Sequence, residues 1–152
     1  MQIAIHELTA ADRELIDFAR AVVDANTDGQ DGVHTMGAAV RAADGTMYGG
    51  INLYHFTGGP CAELVALGHA RASGARELST IVAVGNMGRG VLGPCGRDRQ
   101  VLFDYHPGIR VLLPTTGGAV AAVRIEDLVP FAYAWSPDGD SKASEGEQPG
   151  TP

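Results

Sequence analysis

Leu15, Ile16, Ala19, Val22 and Val23 fall on one stripe within residues 10–25, a spacing that predicts an amphipathic helix with one buried face. The polar run NTDGQDG at 26–32 ends it, because Asn, Asp and Gly favour turns over continued helix. Residues 35–43 and 46–54 then read as two strands around Asp44-Gly45, a dipeptide suited to the backbone of a tight hairpin.

The loop HFTGGP next delivers Pro60-Cys61 into the run CAELVALGHARASG. Pro near the first turn and Gly74 past the last predict a helix of about 12 residues. Residues 78–85 (LSTIVAVG) form a short apolar strand, and NMGRGVLG at 86–93 reads as a loop. Pro94-Cys95 opens a further helix, CGRDRQVLFDY, stopped by His106-Pro107-Gly108. Residues 109–113 read as a buried strand. The turn TTGG then leads to AVAAVRI and to a short helix or turn in EDLVPFAYAW. Strands alternating with helices of this length predict βαβ crossovers and an α/β fold of α/β/α layers. Both Pro-Cys helix starts follow strands, so both cysteines are expected at one edge of the sheet, where open α/β sheets bind ligands.

Composition narrows the partners. The chain of 152 residues is 45% apolar and 19% charged, an ordinary globular balance for one domain. Its net charge is −7, from 11 Lys plus Arg against 18 Asp plus Glu, and its arginines are scattered. A phosphate backbone needs a basic stripe, so the expected partner is a small molecule and not a long nucleic acid. No apolar run has the length to span a bilayer. The opening MQIAIHELTAADREL has no basic start followed by an apolar stretch, hence no export signal, and a cytoplasmic location is expected. The run SPDGDSKASEGEQPGTP at 136–152 has no apolar residue larger than Ala, which predicts a disordered acidic tail after a single domain at 1–135.

The chemistry concentrates in two segments, Pro60-Cys61-Ala62-Glu63 and Pro94-Cys95-Gly96-Arg97-Asp98. Zinc-dependent deaminases carry a [His/Cys]-x-Glu segment followed by Pro-Cys-x-x-Cys, in which the Glu moves protons without binding the metal. A thiol at a helix N-terminus faces unpaired N–H groups, which should lower its pKa. Two such helix tips meeting would make an anionic nest for a divalent ion. The residues alone leave alternatives open: a Cys at a helix start is often a small buried hydrophobe, and Cys61 and Cys95 could pair as a disulfide. Where the signature asks for a last Cys, this chain has Asp98.

Three longer stretches, GINLYHFTGGPCAELVALG, IVAVGNMGRGVLGPCGRDRQVLFDYHPGIRVLL and EDLVPFAYAW, closely resemble the blasticidin S deaminases of the cytidine deaminase superfamily, across roughly residues 35–135. The resemblance implies a cytidine deaminase-like fold with a mixed central sheet, a homotetramer and hydrolytic removal of an amino group from a cytosine-type ring. It implies Zn2+ bound by Cys61 and Cys95, with Glu63 as the proton shuttle. It places Asn52 and Tyr54 on the strand that holds the sugar side of the substrate, where ordinary cytidine deaminases usually have a Glu in place of Tyr54. It sets Arg89 in an active-site loop, and Tyr133 and Trp135 among aromatics that close over the substrate. Each has a plainer reading: Arg89 as a solvated loop charge, the two aromatics as anchors for the chain end.

Asp98 decides how far the likeness reaches. A carboxylate oxygen is an accepted zinc ligand, and Cys95 and Asp98, at i and i+3, share a helix face. Alternatively Asp98 only complements the helix dipole, pairing with Arg97 or Arg99. His69 is too far along its helix from Cys61 to substitute, whereas His55 sits in the loop that leads to Cys61. The leading expectation is a zinc aminohydrolase for a cytosine-type nucleoside or an aminoacyl-nucleoside antibiotic such as blasticidin S. The alternatives are a metal-poor homologue that binds a nucleoside-like ligand, and a deaminase of another amino-heterocycle.

Overall fold

The computed structural model describes residues 3–135; the acidic segment 136–152 lies outside them. Helix α1, Ala10–Asn26, starts at a capping box in which Asp12 N donates to Thr9 Oγ1 at 3.1 Å and Thr9 N donates to Asp12 Oδ2 at 2.9 Å. These bonds satisfy donors that a helix start leaves unpaired. The hairpin follows as β1, Met36–Ala42, and β2, Met47–Ile51. The second strand therefore stops short of residue 54. Helix α2 spans Ala62–Ala72 and β3 spans Leu78–Gly85. Within the stretch expected to be a loop, Gly90–Leu92 forms a short strand, β4, paired with the end of β3. Helix α3, Gly96–Tyr105, leads to β5, Arg110–Pro114, and β6, Val120–Arg124, and a 3₁₀ turn at Ile125–Leu128 follows.

The strands make one mixed sheet in the order β2-β1-β3-β5-β6, with β4 paired to β3 off this path. Because β1 is antiparallel to both β2 and β3, those two run in the same direction, and β3 is parallel to β5. Both helical crossovers thus join parallel strands, as the alternation of elements predicts. Side chains leave successive strand positions on opposite faces, and the core divides accordingly. Ala39, Val82, Val84 and Leu112 pack on α1 through Leu15, Ile16, Ala19 and Val23. Ala38, Val40, Ile81, Ala83 and Val111 pack on the other side against Ala62, Ala66 and Ala70 of α2 and Leu102 of α3. The result is three layers, α/β/α.

One glycine sets the height of the helix that carries the first Cys segment. A Cβ on Gly50 of β2 would stand 2.4 Å from Ala66 N and 2.7 Å from Ala62 O. Only hydrogen at this position lets the α2 backbone rest directly on the sheet. The parallel exits of β2 and β3 then send their following loops to the same edge, and each loop ends at a Cys.

Candidate active site

Cys61 and Cys95 are the N-cap residues of α2 and α3. The loop before Cys61 is closed by Leu53 N donating to Pro60 O at 3.0 Å. Its Gly59 admits no side chain, since a Cβ there would fall 1.7 Å from Leu53 O. The second loop is shaped by the β3–β4 pairing. The two helix starts bring the Cys61 and Cys95 sulfurs 3.8 Å apart, too far for a disulfide bond of about 2.05 Å; both cysteines are free. The Cys95 thiol lies 3.3 Å from Asp98 Oδ2. Ligand atoms of Cys61, Cys95 and Asp98 all lie within 4.8 Å of one another.

These separations fit a metal ion. A tetrahedral ion with sulfur at about 2.3 Å and oxygen at about 2.1 Å sets S···S near 3.8 Å and S···O near 3.6 Å. Asp98 is only 1% exposed, and its Oδ1 is a buried side-chain oxygen without a hydrogen-bond partner among the described residues. Burying a carboxylate without compensation is costly, and a cation at the cluster would supply it. Helix-end donors do not lower the thiol pKa as the sequence led one to expect. Burial, followed by the charge of Asp98, pushes Cys61 up to about 12. With no cation to offset them, several acidic groups so close together cannot all ionise.

Glu63 lies in the first turn of α2 and is 5% exposed. Burial, then the charge of Asp98, raises its carboxyl from 4.5 to about 7. Folding therefore holds a proton that the unfolded chain releases above about 4.5. With metal chelated, this group's contribution to stability is full below pH 4.5 and is lost as pH rises toward 7. The loss should total about 3 kcal/mol. Denaturant melts at about pH 5 and about pH 8 read it, and Glu63→Gln should flatten the difference. An unchanged slope in that variant would assign the proton to another group.

Cluster and glutamate line a cavity of about 310 Å³, together with Met36, Asn52, Leu53, Tyr54, Pro60, Ala62 and Leu92. Among the described residues its lining contains no Lys, Arg or His. A larger cavity, about 660 Å³, lies between Leu64, Arg71, Val101 and His106 and holds no member of the cluster.

The remaining residues singled out in the sequence divide. Tyr54 is on the cavity rim, 71% exposed. Asn52 also lines the cavity, just beyond β2, but its amide serves the backbone. Oδ1 accepts from Thr35 N at 2.9 Å and Met36 N at 3.0 Å, and Nδ2 donates to Val33 O at 2.7 Å. Arg89 turns to the backbone before β1 and to its own loop, donating to Thr35 O at 2.5 Å and Asn86 Oδ1 at 2.9 Å. It does not line the cavity of this chain. Tyr133 and Trp135 stay outside it too. The Tyr133 carbonyl accepts from Gln100 at 3.0 Å, and the Trp135 ring centres 5.7 Å from that of Tyr105. The chain end thus rests on the flank of α3 through the Tyr133 backbone and the Trp135 ring.

Neither histidine joins the cluster: His55 pairs with Thr57 Oγ1 and His69 with Gly49 O. Arg97 does not pair with Asp98. It reaches across to the loop before Cys61. Met36, Leu53 and Leu92 went unnoticed in the sequence, where an apolar residue at a strand end looks the same whether it faces core or cavity.

No family model matches the chain. It is 34% identical over 113 residues to the blasticidin-S deaminase of Bacillus cereus, covering 68% of this chain and 80% of that protein. Over 104 residues it is 33% identical to a cytidine deaminase of Sporosarcina psychrophila, covering 65% and 74%. Among solved structures, the cytidine deaminase of Burkholderia pseudomallei superposes with a TM-score of 0.66 at 30% identity, covering 83% of this chain and 100% of that one. The cytidine deaminase of Mycobacterium tuberculosis gives 0.65 at 25% identity, covering 82% and 98%. Layered fold and kinship together define a deaminase. The chain belongs to the cytidine deaminase superfamily.

Proposed function

We propose that this chain is a zinc-dependent aminohydrolase that replaces the ring amino group of a cytosine-type nucleoside, or of an aminoacyl-nucleoside antibiotic such as blasticidin S, by oxygen. The observation that carries the reading is the convergence of Cys61, Cys95 and Asp98 beside buried Glu63 on the wall of one small cavity. Cys61, Cys95 and Asp98 would hold Zn2+, which would supply the Lewis acidity that makes water nucleophilic near neutral pH.

The chain's own groups do the rest. Glu63, buried in the same cavity wall, is placed to accept one proton from water and pass it to the ring nitrogen, then to take the second from the added hydroxyl and deliver it to the departing amine. Water and substrate thereby become ammonia and the uracil-type product. Met36, Leu53, Pro60 and Leu92 give the cavity apolar walls suited to a flat ring. The absence of a cationic side chain from that lining among the described residues agrees with an uncharged nucleoside end.

The reading extends to assembly and place: a homotetramer in the cytoplasm, formed by the domain 1–135 with 136–152 as an acidic extension. The exposed Tyr54, Phe56, Phe131 and Tyr133 support association, because large exposed apolar groups mark contact surfaces. No helix among the described residues is long and apolar enough to cross a membrane.

The test incubates zinc-loaded full chain separately with cytidine and with blasticidin S, following ammonia and the loss of cytosine absorbance. Ammonia from either supports the assignment, and ammonia from only one names the preferred substrate. Ammonia from neither rejects it.

A further inference from the structure

Arg97 stands between Cys95 and Asp98 in sequence, on the first turn of α3, yet its side chain serves the other Cys segment. Its Nη1 donates to Gly58 O at 3.2 Å and its Nη2 to Gly59 O at 2.8 Å. The same Nη2 lies 3.9 Å from Cys61 Sγ. Gly59 is fixed against Leu53 O, and the Leu53–Pro60 hydrogen bond closes the loop. Two adjacent carbonyls are thus presented to one planar fork. Arg can bridge such a pair with donors in fixed geometry, whereas Lys offers a single point of charge.

We propose that Arg97 is a positioning residue for the metal centre: it clamps the Gly58–Gly59 carbonyls to the first turn of α3, and so holds Cys61 at ligand distance from Cys95 and Asp98. The proposal rests on the reading of those three residues as a metal centre. A mechanical reason favours it. Cys61 belongs to α2 and the other two ligands belong to α3, and the positions of α2 and α3 are set separately by packing on the sheet. Tolerance at a metal site is a few tenths of an ångström, tighter than apolar packing alone enforces. Arg97 is exposed, so its replacement should leave the fold intact. Its charge also lies near Cys61, beside a cavity whose described lining holds no cation, which makes charge the rival explanation for any effect.

The test compares full-length wild type, Arg97→Met and Arg97→Lys in two measurements. In the first, Co2+ is titrated into metal-free protein and followed by sulfur-to-cobalt charge-transfer absorption. Arg97→Met should bind about tenfold to a hundredfold more weakly, the range typical of groups that orient metal ligands. Arg97→Lys should follow Arg97→Met, since it keeps the charge and loses the fork. The second measurement needs no metal: dibromobimane turns fluorescent on bridging neighbouring thiols, and bridging of Cys61 to Cys95 should slow severalfold in both variants. Full rescue of Co2+ affinity by Lys overturns the clamp in favour of charge. Wild-type affinity and bridging rate in Arg97→Met overturn it outright. If wild type gives no sulfur-to-cobalt band while both variants still slow the bridging, the metal reading fails and the clamp between the two cysteines stands.

Discussion

Glu63→Gln is expected to lower ammonia release by about two to four orders of magnitude, the usual contribution of a positioned proton-transfer group. Gln preserves size and shape at a position that is itself nearly closed to solvent, but it cannot accept a proton. Zinc content should stay at the wild-type level, because the side chain lies beside the ligand cluster and is not part of it. The metal-free variant should also resist denaturant better than wild type above about pH 7, because a buried carboxylate no longer has to ionise. Loss of turnover with retained metal and raised metal-free stability is a combination that general misfolding cannot produce. Steady-state ammonia assays, elemental analysis and denaturant melts measure the three parts. A variant that kept more than about a tenth of wild-type turnover would move the proton shuttle elsewhere.

Asp98→Ala is expected to weaken zinc binding by more than about a hundredfold, beyond the effect of removing an outer partner. Asp98→Cys should bind at least as tightly as wild type, since it supplies the third thiolate that zinc deaminases can carry at this position. The stability of the metal-free protein should move in the opposite direction. Asp98 Oδ1 is buried and unpartnered, and the charge of Asp98 pushes up the pKa of both Cys61 and Glu63. Removing that carboxylate relieves the crowding, so metal-free Asp98→Ala should melt above wild type. A residue that served only the dipole of α3 would behave otherwise: its loss would lower the melting temperature and leave zinc content alone. Calorimetry of chelated protein and competitive zinc titration separate the two roles.

Much of the fold is local enough to be written in the chain. The stripe Leu15, Ile16, Ala19 and Val23, the Asp44-Gly45 turn and the Pro-Cys openings each express a preference within a few residues, and they became α1, the β1–β2 hairpin and the starts of α2 and α3. Alternation of strands and helices sufficed for parallel crossovers, and hence for both cysteines at one sheet edge. The long stretches shared with a known family pointed to the superfamily directly.

What the chain could not express locally is where side chains end in space. Whether Asp98 faces the sulfurs or solvent depends on how α3 meets the end of α2, a matter of packing between segments distant in sequence. The same holds for Arg97, spent on the carbonyls of Gly58 and Gly59 and not on its neighbour Asp98, and for Asn52 and Arg89, both drawn to the backbone near Thr35. The short β4 likewise exists only because β3 offers it an edge. Even the sign of the Cys61 shift was a tertiary outcome: helix-end donors act within one turn, whereas burial and a facing carboxylate depend on everything that folds around the thiol.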